Sequence, residues 1–312
     1  MIISASKRTD IPALYPRWFL ERLRAGFVLV QNPRNPHRYT RIELSPETVD
    51  MIVFWTKDPR PILPLLKEID ELGFPYYFQI TITPYGSAIE KALPAKDEVI
   101  KSFITLSGQI GRKRTIWRYD PIIISSELTI DYHLRAFRKM VERLHPFTNR
   151  CVISFVDLYR SVHNRTRESI DYQLSLENIH RLSKGLTSIA DQYGLRLSSC
   201  AEDIDLSSFG IEHGACIDQV LIEELLGCSI EAKADPNQRI ACRCIDNLDI
   251  GTYDCCTHGC IYCYAVSNEE KALNRRRLHD PHSPILIGQP SPDAIITGKS
   301  IKSFKLKQLP LF

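Results

Sequence analysis

Tyr76-Tyr77-Phe78-Gln79-Ile80-Thr81-Ile82-Thr83 divides cleanly by parity. Tyr76, Phe78, Ile80 and Ile82 are apolar, whereas Tyr77, Gln79, Thr81 and Thr83 carry polar groups. Successive side chains of a strand point to opposite faces, so this stretch reads as a strand with two unlike faces. One face suits a layer of helices, and the other the polar interior of a barrel. Residues 1–5, 51–55, 115–119, 151–156 and 195–199 read as further strands. Residues 15–24, 62–72, 97–109, 130–144, 167–182 and 187–193 carry helical patterns between them. Gly73 and Gly194 stand where helices should stop. Residues 27–30 and 41–44 flank a Pro/Asn-rich turn and are expected to pair as a hairpin. Six βα-like units predict an α/β fold: parallel strands under helices, closed as a partial or complete barrel. An open sheet would produce the same pattern.

The 312 residues are 44% hydrophobic and 25% charged, enough for a real core. A formal charge of +3 is too near neutral to argue for a nucleic-acid surface. Met1–Arg8 lacks the pattern of a signal peptide, and no stretch approaches the ~20 apolar residues that span a bilayer. A soluble, cytoplasmic protein with no membrane partner is the expectation.

Beyond Cys200 the chain changes character. Nine of its ten cysteines lie from Cys200 to Cys263, and six of them from Cys242 onward. Residues 217–226 are helical in pattern, but 234–290 are rich in Cys, Asp, Gly and Pro. Bound metal would supply the order that such a segment cannot obtain from a hydrophobic core. The strongest chemistry is Cys256-Thr257-His258-Gly259-Cys260-Ile261-Tyr262-Cys263. Three thiolates on one loop suit three irons of a four-iron cluster, with the fourth iron left open. A zinc knuckle is the alternative, with Cys255, Cys244 or His258 as fourth ligand.

This spacing, with Tyr262 before the last cysteine, resembles the cluster motif of the radical S-adenosylmethionine superfamily. The whole chain resembles an uncharacterised bacterial family known only as a domain of unknown function. The blocks that carry this likeness are Ile3-Ser4-Ala5-Ser6-Lys7-Arg8-Thr9-Asp10-Ile11-Pro12, Phe54-Trp55-Thr56-Lys57-Asp58-Pro59, Trp117-Arg118-Tyr119-Asp120-Pro121-Ile122 and Gly259-Cys260-Ile261-Tyr262-Cys263-Tyr264-Ala265. The superfamily resemblance implies a barrel of that type, with 1–200 as the βα-repeat unit and 201–312 as a cysteine-rich iron–sulphur extension packed on it. It implies a 4Fe–4S cluster on Cys256, Cys260 and Cys263, and S-adenosyl-L-methionine on the open iron. An electron from a partner such as ferredoxin or flavodoxin would then release a 5′-deoxyadenosyl radical. One departure is plain: the superfamily's motif follows the first strand, whereas this one follows all six. The segment would have to fold back over the carboxyl ends of the strands, where ligands of such folds bind.

Cys200, Cys216, Cys242 and Cys244 remain, and are expected to share a second metal, either another 4Fe–4S cluster or zinc. Polar residues at strand ends are the candidate cofactor-binding groups: Lys7, Arg8, Arg118, Asp120, Asp157 and Glu202. Arg and Lys suit a carboxylate or phosphate, and the acids a cationic or hydroxylated ligand. Two other functions fit the cysteines: an iron–sulphur electron-transfer or sensing protein, and a zinc-stabilised nucleic-acid-binding protein.

Overall fold

A computed structural model describes residues 1–239 and 241–306. In chain order the elements are β1 (Ile2–Ala5), α1 (Ile11–Leu14), α2 (Pro16–Ala25), β2 (Phe27–Asn32), β3 (Asn35–Glu43), β4 (Met51–Thr56), α3 (Leu66–Glu71), β5 (Tyr76–Thr81), α4 (Lys96–Ile110), β6 (Thr115–Ile122) and α5 (Ile130–Leu144). They continue with β7 (Arg150–Phe155), α6 (Arg160–Thr166), α7 (Leu176–Gln192), β8 (Arg196–Cys200), β9 (Glu212–Gly214), α8 (Gln219–Leu226), β10 (Asn247–Asp249), α9 (Glu269–Arg276) and β11 (Ile295–Lys299).

Eight strands form one sheet in the order β10-β1-β4-β5-β6-β7-β8-β9, every neighbouring pair parallel. This is a mixed α/β protein with the sheet of a partial α/β barrel. Parity in β5 works as its sequence demands. Tyr76, Phe78 and Ile80 join the main core, with Ile52 and Phe54 of β4, Trp117 of β6, and Trp18, Phe103 and Phe137 from the helices. Tyr77 lies on the other face, with Ile2, Met51, Val53, Ile116 and Val152. Trp117 stacks on Phe137 of α5 at 5.0 Å between centroids. Ser175 caps α7 through Asn178 N, and α7 presses on α5 so closely that a Cβ at Gly185 would lie 2.5 Å from Leu134. A second, three-stranded sheet sets β2 antiparallel to β3, and β11 parallel to β3.

The two end strands of the large sheet, β9 and β10, are stitched together by the segment between them. Ile245 N donates to Ile217 O at 3.2 Å, His213 Nε2 to Ala241 O at 2.6 Å, and Arg243 Nη1 to His213 O at 3.2 Å. Several elements differ from expectation. Of the helix expected over 167–182, only 176–182 is helical, as the start of α7; 167–175 is a loop that ends at the Ser175 cap, and α6 lies before it. Residues 187–193 belong for the most part to α7 rather than to a separate helix. The helix expected over 62–72 opens as a 3-10 turn at Leu63–Leu65, where Pro64 removes a donor. β11 was not foreseen in a tail without clear pattern.

Candidate functional site at the carboxyl ends of the strands

Because the strands are parallel, the groups after β1, β4, β5 and β7 gather at one end of the sheet, and the loop that carries Cys256, Cys260 and Cys263 lies there. His258 Nε2 pairs with Asp10 Oδ2 at 2.8 Å, and the same oxygen accepts Lys57 N at 2.8 Å. Cys260 forms an antiparallel bridge with Glu90, and Ile261 N donates to Ile89 O at 3.0 Å. Tyr264 OH reaches Lys7 O at 2.9 Å. Arg165 of α6 donates Nε to Ile261 O and Nη1 to Val266 O, each at 2.9 Å, and Nη2 to Cys263 O. Gly259 adopts φ +66, the left-handed turn that glycine takes without strain.

Beneath the loop sits a buried carboxylate. Glu90 is 1% exposed and accepts from Lys57 Nζ at 2.8 Å, Thr83 Oγ1 at 2.9 Å, Lys96 Nζ and Tyr262 OH. Burial alone would raise its pKa, but Lys57 and Lys96 outweigh it and hold Glu90 at about 2. Tyr262 also packs with Tyr85, Ile123, Val156, Val162 and Ile170, which anchors the loop in an apolar pocket.

The three thiols are half-buried. Burial raises the pKa of each, Cys260 to about 12 despite Lys57. Neighbouring main-chain groups pull the other way at two of the sulphurs: His258 at Cys256, and Ala265 and Val266 at Cys263. Tyr262 stands beside the third, Cys260, but its hydroxyl hydrogen goes to Glu90. Donors arranged around sulphur favour the thiolate, and a bound cation would complete the deprotonation that burial resists. Cys255 is turned away: its thiol is buried in the main core and donates to Thr252 O at 2.9 Å.

The second cysteine group lies on the inner face of the sheet. Cys200 ends β8, Cys216 follows β9, and Cys242 and Cys244 precede β10. Cys200 Sγ and Cys216 Sγ are 2.7 Å apart, and Cys244 and Cys242 pack in the same cluster. Arg118 Nη1 donates to Cys216 Sγ at 2.7 Å, and Ile217 N to Cys244 Sγ at 3.3 Å. Hydrogen bonds from Cys200 and Cys244, with the charge of Arg118, hold the Cys216 thiol well below its usual range. Among the described residues, no three His, Cys, Asp or Glu side chains already stand in metal-ligand geometry.

The six polar candidates divide. Arg118 and Asp120 pair in the sheet's interior, Arg118 Nε to Asp120 Oδ2 at 3.0 Å, with Ser154 on the other carboxylate oxygen. Lys7 lies 5.9 Å from the centroid of Trp55 and 3.6 Å from Asp235. Arg8 turns to Gly251 O and Asp249. Asp157 is held by both terminal nitrogens of Arg239. Glu202 accepts Phe155 N at 2.7 Å, and burial, then Asp157 and Asp120, raise its pKa to about 7. A cleft of about 460 Å³ lies at the other end of the sheet, against Met51, Pro75 and Gly111–Arg114. It touches neither cysteine group.

A family described as a domain of unknown function, DUF1848, matches residues 2–265. The chain belongs to this family. No curated protein matches it. Among solved structures, the Xanthomonas citri FimX EAL domain in complex with c-diGMP aligns at 13% identity, over 62% of this chain and 88% of its own, with a TM-score of 0.21. A superposition that poor carries no argument about fold or ligand. The DUF1848 match takes in both cysteine groups.

Glu90, Lys96 and Arg165 were missed in this DUF1848 chain. Glu90 and Lys96 sit beyond β5, in a stretch with no periodicity to mark them. Arg165 lies on α6, a short helix that the sequence pattern did not mark. The one available signal for Glu90 was a lone acid among apolar neighbours in Ala88-Ile89-Glu90, which is weak.

Proposed function

We propose that this chain is a radical S-adenosylmethionine enzyme. On this reading Cys256, Cys260 and Cys263 hold three irons of a 4Fe–4S cluster, and the segment beyond residue 200 is a cysteine-rich extension of a barrel of the radical S-adenosylmethionine type. The observation that carries the reading is the loop that brings three cysteines together over the carboxyl ends of parallel strands. The donor set fits: soft thiolates, an apolar wall at Tyr262 and Tyr85, and cationic Lys57 to offset negative charge. Such a cluster, when bound, supplies the electron that splits S-adenosylmethionine into methionine and a 5′-deoxyadenosyl radical.

The protein's own residues position and shield. Lys57 faces the thiol of Cys260 while Glu90 fixes its ammonium group. Asp10 and His258 set the loop's height above β1 and β4. Lys7, Arg8, Arg118, Asp120, Asp157 and Glu202 are the polar groups proposed to meet cofactor and substrate. A ferredoxin or flavodoxin is the proposed electron donor, and the cytoplasm the proposed compartment.

The test is anaerobic reconstitution, then S-adenosylmethionine with a strong one-electron reductant, and assay for 5′-deoxyadenosine. Wild type should form it, and the variant Cys256→Ala/Cys260→Ala/Cys263→Ala should not. A wild type that carries an intact cluster yet neither binds nor cleaves S-adenosylmethionine sinks the proposal and favours electron transfer or sensing.

A further inference from the structure

We infer that Cys200, Cys216, Cys242 and Cys244 form a mononuclear zinc site that staples the open seam of the sheet. The residues come from both sides of that seam. Cys200 and Cys216 belong to the β8–β9 side, while Cys242 and Cys244 lead into β10, the strand at the opposite end of the sheet order. Across the seam, strand pairing gives way to a few individual hydrogen bonds, such as Ile245 N to Ile217 O. A metal bonded by two residues from each side would supply the missing connection, and its binding free energy would count toward folding.

Three observations point to metal rather than to four idle thiols. The four cysteines share one buried cluster, with Cys200 Sγ and Cys216 Sγ in contact at 2.7 Å. A buried guanidinium aims a hydrogen at one of them: Arg118 Nη1 to Cys216 Sγ at 2.7 Å, with Arg118 only 6% exposed. A main-chain donor, Ile217 N, aims at a second. A cation and an amide directed at sulphur are the partners that a metal-bound thiolate needs, whereas a neutral thiol accepts only weakly. Four thiolates around a dication leave negative charge, and Arg118, shared with Asp120, is the cation in direct contact with the group.

Spacing decides between one metal and a cluster. Zinc–sulphur bonds of about 2.3 Å set a tetrahedral edge of about 3.8 Å. Cys200 and Cys216 are closer than this, at 2.7 Å, so metal entry must part them by about 1 Å, a shift that a cysteine rotamer supplies. A four-iron cube would need all four sulphurs to spread much further, against a wall of Ile217, Leu221 and Ile245. Soft tetrahedral S₄ coordination around a single metal suits zinc.

The experiment separates this site from the loop cluster. The full-length variant Cys256→Ala/Cys260→Ala/Cys263→Ala removes the iron ligands of the proposed function and leaves the seam intact. Metal analysis of that variant should give about one zinc per chain, and zinc-edge X-ray absorption should give four sulphurs at about 2.3 Å. Adding Cys242→Ser/Cys244→Ser should lower zinc at least tenfold, whereas adding Cys228→Ser should leave it unchanged. Should the seam variant fail to fold, the absorption spectrum of its parent decides alone. Folded parent protein with Cys200, Cys216, Cys242 and Cys244 all free thiols and no zinc overturns the inference. So does a Cys200–Cys216 disulfide, an iron–iron distance at this site, or zinc bound through nitrogen or oxygen. Each of these results stands whether or not S-adenosylmethionine is cleaved.

Discussion

His133 shows how one buried side chain fixes a pH dependence. It is fully buried, and its Nε2 lies 2.8 Å from Ile123 O. A carbonyl only accepts, so Nε2 carries the proton, and Nδ1 must accept from Tyr119 OH at 2.8 Å. Burial lowers the pKa to about 4, against the opposing bond to Ile123. The neutral ring is therefore the folded form. Stability is fully present above the unfolded value near 6.5, and falls as pH drops toward 4, because the unfolded chain takes up the proton first. By pH 5 this one group should cost about 2 kcal/mol. Urea midpoints at pH 7.5 and pH 5 measure it, and His133→Gln should lose most of that pH-dependent difference. An unchanged difference in the variant would assign the acid sensitivity elsewhere. Glu90 gives a second test at this scale. Glu90→Gln leaves Lys57 and Lys96 without their shared counter-charge and should cost about 3 kcal/mol. A loss below about 1 kcal/mol, the range of exposed pairs, would mean that the network does not hold the loop.

Elements were legible where a pattern had room to repeat. The helix expected over 130–144 matches α5 residue for residue, because Thr129 supplies a cap and the apolar stripe runs through Phe137, Met140, Val141 and Leu144. β5 was legible to the level of faces, since its alternation was complete. β9 and β10 were not: three residues each, they hold no measurable period, and neighbouring strands define them. The closeness of Cys200 and Cys216 depends on β9 and was equally unreadable, although the residue type alone nominated the group. Gly251 tests how β10 is seated on β1. A Cβ there would lie 1.9 Å from Ser6 Oγ and 2.6 Å from Ser6 Cβ. Ser6 cannot yield freely, because its hydroxyl donates to Asp249 Oδ1 and accepts Arg8 N. Gly251→Ala should therefore cost more than about 2 kcal/mol by urea denaturation. Ser6→Gly in the same chain should restore at least half of the loss. Gly86→Ala, with nothing within 4 Å of its Cβ, should be close to neutral.

At the scale of the whole molecule, the loop from Gly251 to Val266 is a cover fastened to the rim of the sheet at separate points. It meets β1 through Tyr264 and Lys7, the segment after β4 and β5 through Lys57, Glu90 and Tyr262, and α6 through Arg165. Of these, Arg165 is an exposed fastening, as Tyr264 is, and it touches only carbonyl oxygens of the loop. Its removal should leave the buried core untouched and free one side of the cover. Arg165→Met should therefore shift global stability by less than about 1 kcal/mol, since the lost bonds are open to water. The Cys263 carbonyl is one of the three that it holds, so the sulphur of that residue loses its fixed position. Outer partners of this kind are worth roughly 10-fold or more in metal affinity. Anaerobically reconstituted Arg165→Met should accordingly lose iron to a chelator at least roughly tenfold faster than wild type, at an almost unchanged urea midpoint. Equal rates of iron loss would show that the rim contacts at β1, β4 and β5 suffice to hold the loop. A large fall in the midpoint would instead make Arg165 part of the fold, not only of the cover.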